Sequence, residues 1–297
     1  MTPDQLIRIL RFPNRPRGAP PIVSRAIEPC DGYVVERLHF DFGSSPPVRG
    51  LLTRPVSPAA PMPAVLYCHA HGARYEIGAS ELLDGRPSLR GAYGPELARR
   101  GFVTLSIDMP TFGERAGQTE DALSKALLWR GQTLMGLMLA DLLSAFDHLA
   151  SRDDVDAGRI AAIGLSMGAT HAYFLGAIEP RIARVAHLCC LADIAILIET
   201  GAHDLHGHYM TVPGLLEETT FGRIAGMVAP RPQLVCIGED DALTPPKAFE
   251  RAFADASEAY RQAGAADRLA LVAEPGSGHV ETARMRRAVL DFLEAMR

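Results

Sequence analysis

Lysine is almost missing from this chain: Lys125 and Lys247 are the only two among 30 basic residues, so nearly all the positive charge is arginine. That bias is read as compositional and given no functional weight. Basic stripes and long blocks of like charge are also missing. With 30 basic against 35 acidic residues the net charge is -5, which excludes a nucleic-acid groove. No apolar run approaches the roughly 20 residues that span a bilayer, so no membrane segment is expected. The N-terminal stretch has one short apolar run, Leu6 to Leu10, broken by Arg8; a signal peptide is not expected, and the expected compartment is the cytoplasm. Cysteines are few and odd in number, five in all. Cys68, Cys189, Cys190 and Cys236 fall in apolar runs, which fits buried free thiols in a reducing compartment rather than a disulfide framework.

What is present is a core. The 297 residues are 47% hydrophobic and 22% charged, which excludes disorder and disulfide-stapled miniproteins. A chain of this size should expose about 12,000 Å² when folded, against roughly 46,000 Å² when open. From Val34 to Val56 the text reads as two antiparallel strands around a turn at Gly43 to Pro47. Short apolar runs then alternate with helical patterns. The strand runs are Ala64 to His69, Phe102 to Asp108, Arg159 to Gly164, Arg184 to Leu191, Gln233 to Gly238 and Arg268 to Ala273. The helical segments are Pro95 to Arg100, Gly131 to Ser151, Met167 to Ile178, Pro246 to Ala263 and Val280 to Met296. This rhythm predicts an α/β fold with a mostly parallel central sheet flanked by helices. Residues 1–33 read as an N-terminal segment and 34–297 as a single domain. Residues 192–227 break the rhythm after the sixth strand and read as a lid-like insertion over the sheet's carboxyl edge, where ligands bind in such folds.

The chemistry-bearing string is Gly164-Leu165-Ser166-Met167-Gly168, placed between a strand pattern and a helix pattern. A serine on that sharp turn has its hydroxyl exposed, and flanking glycines keep side chains out of the crowded backbone. Met167 then offers its backbone N–H at a helix N-terminus, where developing negative charge is favoured. The bland alternative is a glycine-bracketed helix start with a serine cap. A serine needs a base and an orienting carboxylate. Among ten histidines, His279 in Gly276-Ser277-Gly278-His279 follows the last strand and is the best placed base. The acid is one of the residues that follow Gly238. Asp241 is favoured on the spacing from Gly238 to Pro245, over Asp240, with Asp193 a distant third read as a solvated loop residue. The turn Cys68-His69-Ala70-His71-Gly72-Ala73 should supply a second oxyanion N–H, from His71 or its neighbours Gly72 and Ala73. The His69 side chain is expected to be packed and bonded to backbone.

With these motifs the chain resembles the α/β-hydrolase superfamily, and within it the branch of dienelactone hydrolases and acetyl xylan esterases. The resemblance runs from about Val34 and rests on the order Ser166, Asp241, His279, the HAHG turn, the segment Asp154 to Ser166, and Ala229-Pro230-Arg231-Pro232 ahead of a strand. It implies a serine carboxylesterase acting through an acyl-enzyme on a small-molecule ester, without cofactor or metal. Dienelactone hydrolases have a cysteine nucleophile where this chain has Ser166, so their substrate does not carry over. Ala70 stands where HGHG-type relatives have glycine.

Peptidase or thioesterase chemistry would share the triad, and a non-catalytic receptor on the same fold would be marked by a damaged one. Metal catalysis through His69 and His71, or through His203, His206 and His208, is disfavoured by their spacing. The last three, with Tyr209 and Met210, read as pocket wall or lid surface. Arg74, Tyr75 and Trp129 are candidates for substrate contact. A homo-oligomer is compatible with the sequence, which does not determine it.

Overall fold

Six parallel strands and three antiparallel ones make one nine-stranded sheet in the computed structural model, which describes residues 1–43, 46–57 and 61–297. The strands are β1 (Ile22–Cys30), β2 (Tyr33–Phe40), β3 (Val48–Arg54), β4 (Met62–Cys68), β5 (Val103–Ile107), β6 (Val155–Leu165), β7 (Ile182–Leu188), β8 (Gln233–Gly238) and β9 (Leu269–Glu274). Their order is β1-β2-β3-β5-β4-β6-β7-β8-β9, with β4 to β9 parallel and β1 to β3 an antiparallel run joined to β5. Of the expected turn between β2 and β3, Ser44 and Ser45 lie outside the described residues.

Eleven helices accompany the sheet among the described residues: α1 (Pro3–Ile9), α2 (Glu81–Asp84), α3 (Tyr93–Arg99), α4 (Glu120–Trp129), α5 (Leu134–Ala150), α6 (Met167–Ile178), α7 (Ile194–Thr200), α8 (Leu215–Glu218), α9 (Phe221–Gly226), α10 (Pro246–Gln262) and α11 (Ala283–Glu294). Both faces of the sheet are covered, and the strands show it residue by residue. Along β4, Ala64, Leu66 and Cys68 enter one apolar cluster with Met138, Leu142 and Tyr173. Val65 and Tyr67 enter the other, with Tyr93, Leu97 and Val289. Strand side chains alternate between faces, so a strand apolar at every position is buried on both. The exposed surface is 12000 Å², as mass scaling expects for a single packed chain.

The N-terminal segment does not stand apart. β1 pairs with β2 from Ile22 to Cys30, and α1 places Leu6 and Leu10 fully inside the main core. Arg15 pairs with buried Asp141, while Arg17 holds Asp147 at 2.9 Å and Glu179 at 2.7 Å. Thr133 caps α5 and donates its hydroxyl to the Leu10 carbonyl at 2.5 Å. α1 and β1 thus pack into the same core and sheet as the residues that follow, and with β1 counted the strand that precedes residues 192–227 is β7. β1 escapes a pattern reading because it is exposed at every position but its last; no alternation is imposed on an edge strand that buries neither face.

Four histidines are built into this core. Burial pushes His69 and His148 down to about 4, and His171 and His187 to about 3. Their unfolded-state value is about 6.5, so below it the unfolded chain binds protons that the native chain does not. Stability must then fall as pH drops from 6.5 towards 4, by up to about 1.4 kcal/mol per pH unit for each group. Neither ring nitrogen of His171 has a hydrogen-bond partner among the described residues. His171→Phe should therefore flatten the acid limb by about one proton, measured by urea denaturation between pH 5 and 7. An unchanged slope would show that His171 is not buried in its neutral form.

Candidate active site

At the carboxyl end of β6 the chain turns directly into α6, and Ser166 at that corner has φ 60 and ψ -121. A positive φ on a non-glycine residue is strained and persists only where the surroundings over-determine it. Here they do. The Ser166 N–H donates to the Leu188 carbonyl at 2.9 Å. A Cβ on Gly168 would lie 1.9 Å from the Cys68 carbonyl oxygen, and one on Gly164 only 2.4 Å from the Gly168 backbone. The two glycines let the elbow close on the end of β4, which brings the loop after Cys68 beside Ser166.

Asp241 and His279 come from the next strands along. Asp241 follows β8, is buried, and accepts from His279 Nδ1 at 2.7 Å through Oδ2, while its Oδ1 accepts the Leu243 N–H at 2.9 Å. The carboxylate is thus fixed by backbone on one side and orients the ring on the other. Gly238 permits the approach, since a Cβ there would sit 2.3 Å from the Gly278 carbonyl. Asp240 is exposed and meets the histidine turn only through its N–H, which donates to Ser277 O at 2.9 Å. Asp193 is not a solvated loop residue: it is buried and caps α7, accepting the Ile196 N–H at 3.1 Å.

Ser166 and His279 together line two clefts. The larger, about 720 Å³, is walled by His71, Tyr75, Glu120, Leu205, His206 and Tyr209 among others. The smaller, about 300 Å³, has Gly72, Arg74, Ile77, Arg86, Pro87 and Ser88. The nucleophile candidate stands where the two meet, as a reacting centre with groups on both sides requires. Trp129 lines neither and is 91% exposed at the end of α4.

His69 is a packed residue. Its Nδ1 donates to the Ala70 carbonyl at 3.0 Å and its Nε2 accepts the Met109 N–H at 3.2 Å, so both nitrogens are used with the ring neutral. His71 and Gly72 donate their backbone N–H groups to no acceptor among the described residues, and neither does Met167. The His71 side chain has a separate task that sequence reading missed, because nothing in the spacing singles out Glu120. His71 Nε2 donates to Glu120 at 2.6 Å, Tyr75 donates its hydroxyl at 3.0 Å, and the Tyr209 N–H reaches the other oxygen at 2.9 Å. Burial raises the Glu120 carboxyl, but the His71 and Tyr209 bonds outweigh it and leave it below the usual range.

The three histidines of residues 192–227 all border an adjoining cavity of about 450 Å³ with Met210, but they keep separate partners: His206 donates to the Leu243 carbonyl at 2.9 Å and His208 lies 3.4 Å from Asp121. Among the described residues no group of three or more His, Cys, Asp or Glu side chains could hold a metal ion. The five cysteines are free, and burial pushes the Cys189 thiol up to about 12 and Cys190 to about 11. Neither forms a thiolate near neutrality.

A strand-to-helix elbow with a strained serine, on a parallel sheet whose next loops bring an aspartate to a histidine, defines an α/β-hydrolase. The chain is 36% identical over 269 residues to YtaP of Bacillus subtilis (strain 168), a protein provisionally named as a hydrolase, with 90% of each chain covered. It belongs to that family of α/β-hydrolases. No protein-family model matches it. A Bacteroides fragilis protein provisionally assigned as an acetyl xylan esterase superposes with TM-score 0.71 at 18% identity, covering 91% of this chain and 73% of that one. A glucuronoyl esterase from Solibacter usitatus gives 0.70 at 16%, covering 99% and 92%. At such identities the likeness shows the shared fold.

The elbow makes a direct prediction. Gly168→Ala should destabilise the protein by about 3 kcal/mol, the upper end of overpacking penalties, because its new methyl meets backbone that cannot give way. Gly117→Ala has open space around it and should leave the unfolding free energy from urea denaturation within about 0.5 kcal/mol of wild type, as surface changes do.

Proposed function

We propose that the protein is a serine carboxylesterase in which Ser166, His279 and Asp241 form the catalytic triad. The observation that carries this reading is a histidine, His279, bonded to buried Asp241 and lining both clefts together with a serine held at positive φ. A hydroxyl at ordinary pKa is a weak nucleophile, so a neutral imidazole must take its proton as it attacks. Asp241 on Nδ1 fixes the tautomer that leaves Nε2 free to do this, and stabilises the imidazolium that forms.

The steps follow from the arrangement. Ser166 Oγ attacks the ester carbonyl, and the N–H groups of Met167 and His71 receive the tetrahedral oxyanion. His279 passes the proton to the departing alcohol. Water repeats the sequence on the acyl-enzyme and releases the acid. A cleft of about 720 Å³ suits a small-molecule ester, and the esterases among the structural neighbours point to the same bond. Residues 192–227 act as a lid-like wall through Leu205 to Tyr209. No cofactor is needed for any step.

Ser166→Ala should lower turnover of p-nitrophenyl acetate by about 10⁴-fold or more and abolish covalent labelling by a fluorophosphonate. Wild-type turnover in that variant would refute the assignment. For the acid, Asp241→Asn should lose about 10⁴-fold in kcat because the wrong tautomer is then held, whereas Asp240→Asn should stay within about threefold of wild type, Asp240 having no side-chain bond to the ring. The reverse order would move the role to Asp240.

A further inference from the structure

Glu81 opens α2 with its side chain fully buried, on the far side of the loop that follows β4. Its Oε1 accepts the Tyr67 hydroxyl at 2.6 Å, and both its oxygens lie 3.2 Å from the Ala70 N–H. Arg86, whose side chain is only 5% exposed, meets Glu81 Oε2 through Nε at 2.5 Å and donates Nη2 to the Ala70 carbonyl at 3.0 Å. One ion pair therefore holds both backbone groups of a single residue. A Cβ on Gly72 would lie 2.6 Å from Arg86 Nη1, so the guanidinium also fills the space beneath the next turn.

Apolar residues of similar volume would stabilise such a place about as well as a buried ion pair does. What an ion pair adds is direction. The peptide unit is planar and trans, so the carbonyl of Ala70 and the N–H of His71 point opposite ways in one rigid plane. Tying the carbonyl to Arg86 on one side aims the His71 N–H to the other. That N–H has no acceptor among the described residues, and the loop is pressed on the elbow by the contact between Cys68 and Gly168.

We propose that the Glu81–Arg86 pair is the positioning device for the second oxyanion donor: it fixes the peptide plane between Ala70 and His71, and so holds the His71 N–H ready for charge that develops on the substrate carbonyl. The proposal rests on Ser166 being the nucleophile. Neither residue bonds to Ser166 or His279, but Arg86 borders the smaller cleft, so Glu81→Gln, which leaves Arg86 in place, is the variant that isolates positioning from a lost cleft contact. Loss of the pair should act on the transition state, where a preorganised donor matters, and leave ground-state binding nearly alone.

The test compares wild type with Arg86→Lys, Glu81→Gln and the double variant Glu81→Met with Arg86→Met, which removes both charges together. Each is measured for kcat and KM on p-nitrophenyl acetate, for inhibition by a phenylboronic acid that forms a tetrahedral adduct, and for its thermal midpoint. Arg86→Lys keeps the charge but cannot reach Glu81 and the Ala70 carbonyl in one plane. The expected result is a fall in kcat of about 10²-fold, as for loss of one oxyanion donor, with KM within about threefold and the boronate weakened in parallel with kcat. Should the single variants fail to fold, the double variant must show the same pattern. Folded variants with wild-type kcat, or with kcat lowered but boronate affinity intact, would overturn the proposal. Ser166→Ala run alongside separates the two readings. If it is inactive while the Arg86 and Glu81 variants are normal, only the positioning role fails; if it is fully active, the nucleophile assignment fails with it.

Discussion

The end of β4 and the start of α6 lie against each other with no side chain between them, and the rest of the site depends on that contact. The Cys68 carbonyl occupies the space a methyl on Gly168 would need. Because the approach is that close, the turn at Ser166 has no relaxed alternative, and its positive φ is held by packing rather than by any bond of its own side chain. The same contact lays the loop that carries His71 against the elbow that carries Met167, and neither of their N–H groups has an acceptor among the described residues. On the proposed reading, strain at the elbow and preorganisation of an oxyanion site are two results of one backbone contact.

Among ten histidines, burial separates the reactive candidate from four others. His69, His148, His171 and His187 lie inside the core, where desolvation keeps the ring neutral well below pH 6.5. His279 stands at the cleft with a buried carboxylate bonded to one nitrogen and no partner at the other among the described residues, a combination that allows a proton to be taken and returned. His71 has a carboxylate partner too, but its Nδ1 already accepts the Ala73 N–H at 3.0 Å. Both of its nitrogens are committed, and its side chain ties the loop to Glu120 and, through Tyr209, to residues 192–227.

Much of this was legible in the sequence because the chemistry imposes local signals. A strand buried on both faces reads as a nearly unbroken apolar run, which is why β4, β6 from Ile160 onward and β8 after Gln233 stand out. An elbow must carry glycines two residues either side of its serine, and a histidine arriving on a tight turn needs glycine before it. β1 and the N-terminal helix carry no such signal: one is exposed, and the other packs against α6, more than a hundred residues away, with the residues after it tied to α5. Glu120 and Glu81 were invisible for the same reason. Each is an ordinary helix-start glutamate by its neighbours in the chain and becomes special only through partners that folding supplies.

The arginine excess, set aside as compositional, reads differently once the partners are known. Arg17 spans Asp147 and Glu179, Arg152 spans Asp154 and Glu36, and Arg286 bonds Glu96 and the carbonyls of Gly91 and Ala92. Arg231, from the Ala-Pro-Arg-Pro string, donates to the carbonyls of Gly176, Val228, Glu179 and Ile182, closing the end of α6 onto the start of β7. Each of these ties needs several donors at fixed angles in one plane, which a guanidinium has and an ammonium lacks. A lysine in any of them would keep the charge and lose the geometry. The pair at Glu81 and Arg86 differs from the others in place rather than kind: the same fork that elsewhere joins two elements of the scaffold here grips the peptide between Ala70 and His71, the one that the proposed chemistry at Ser166 would require to be oriented.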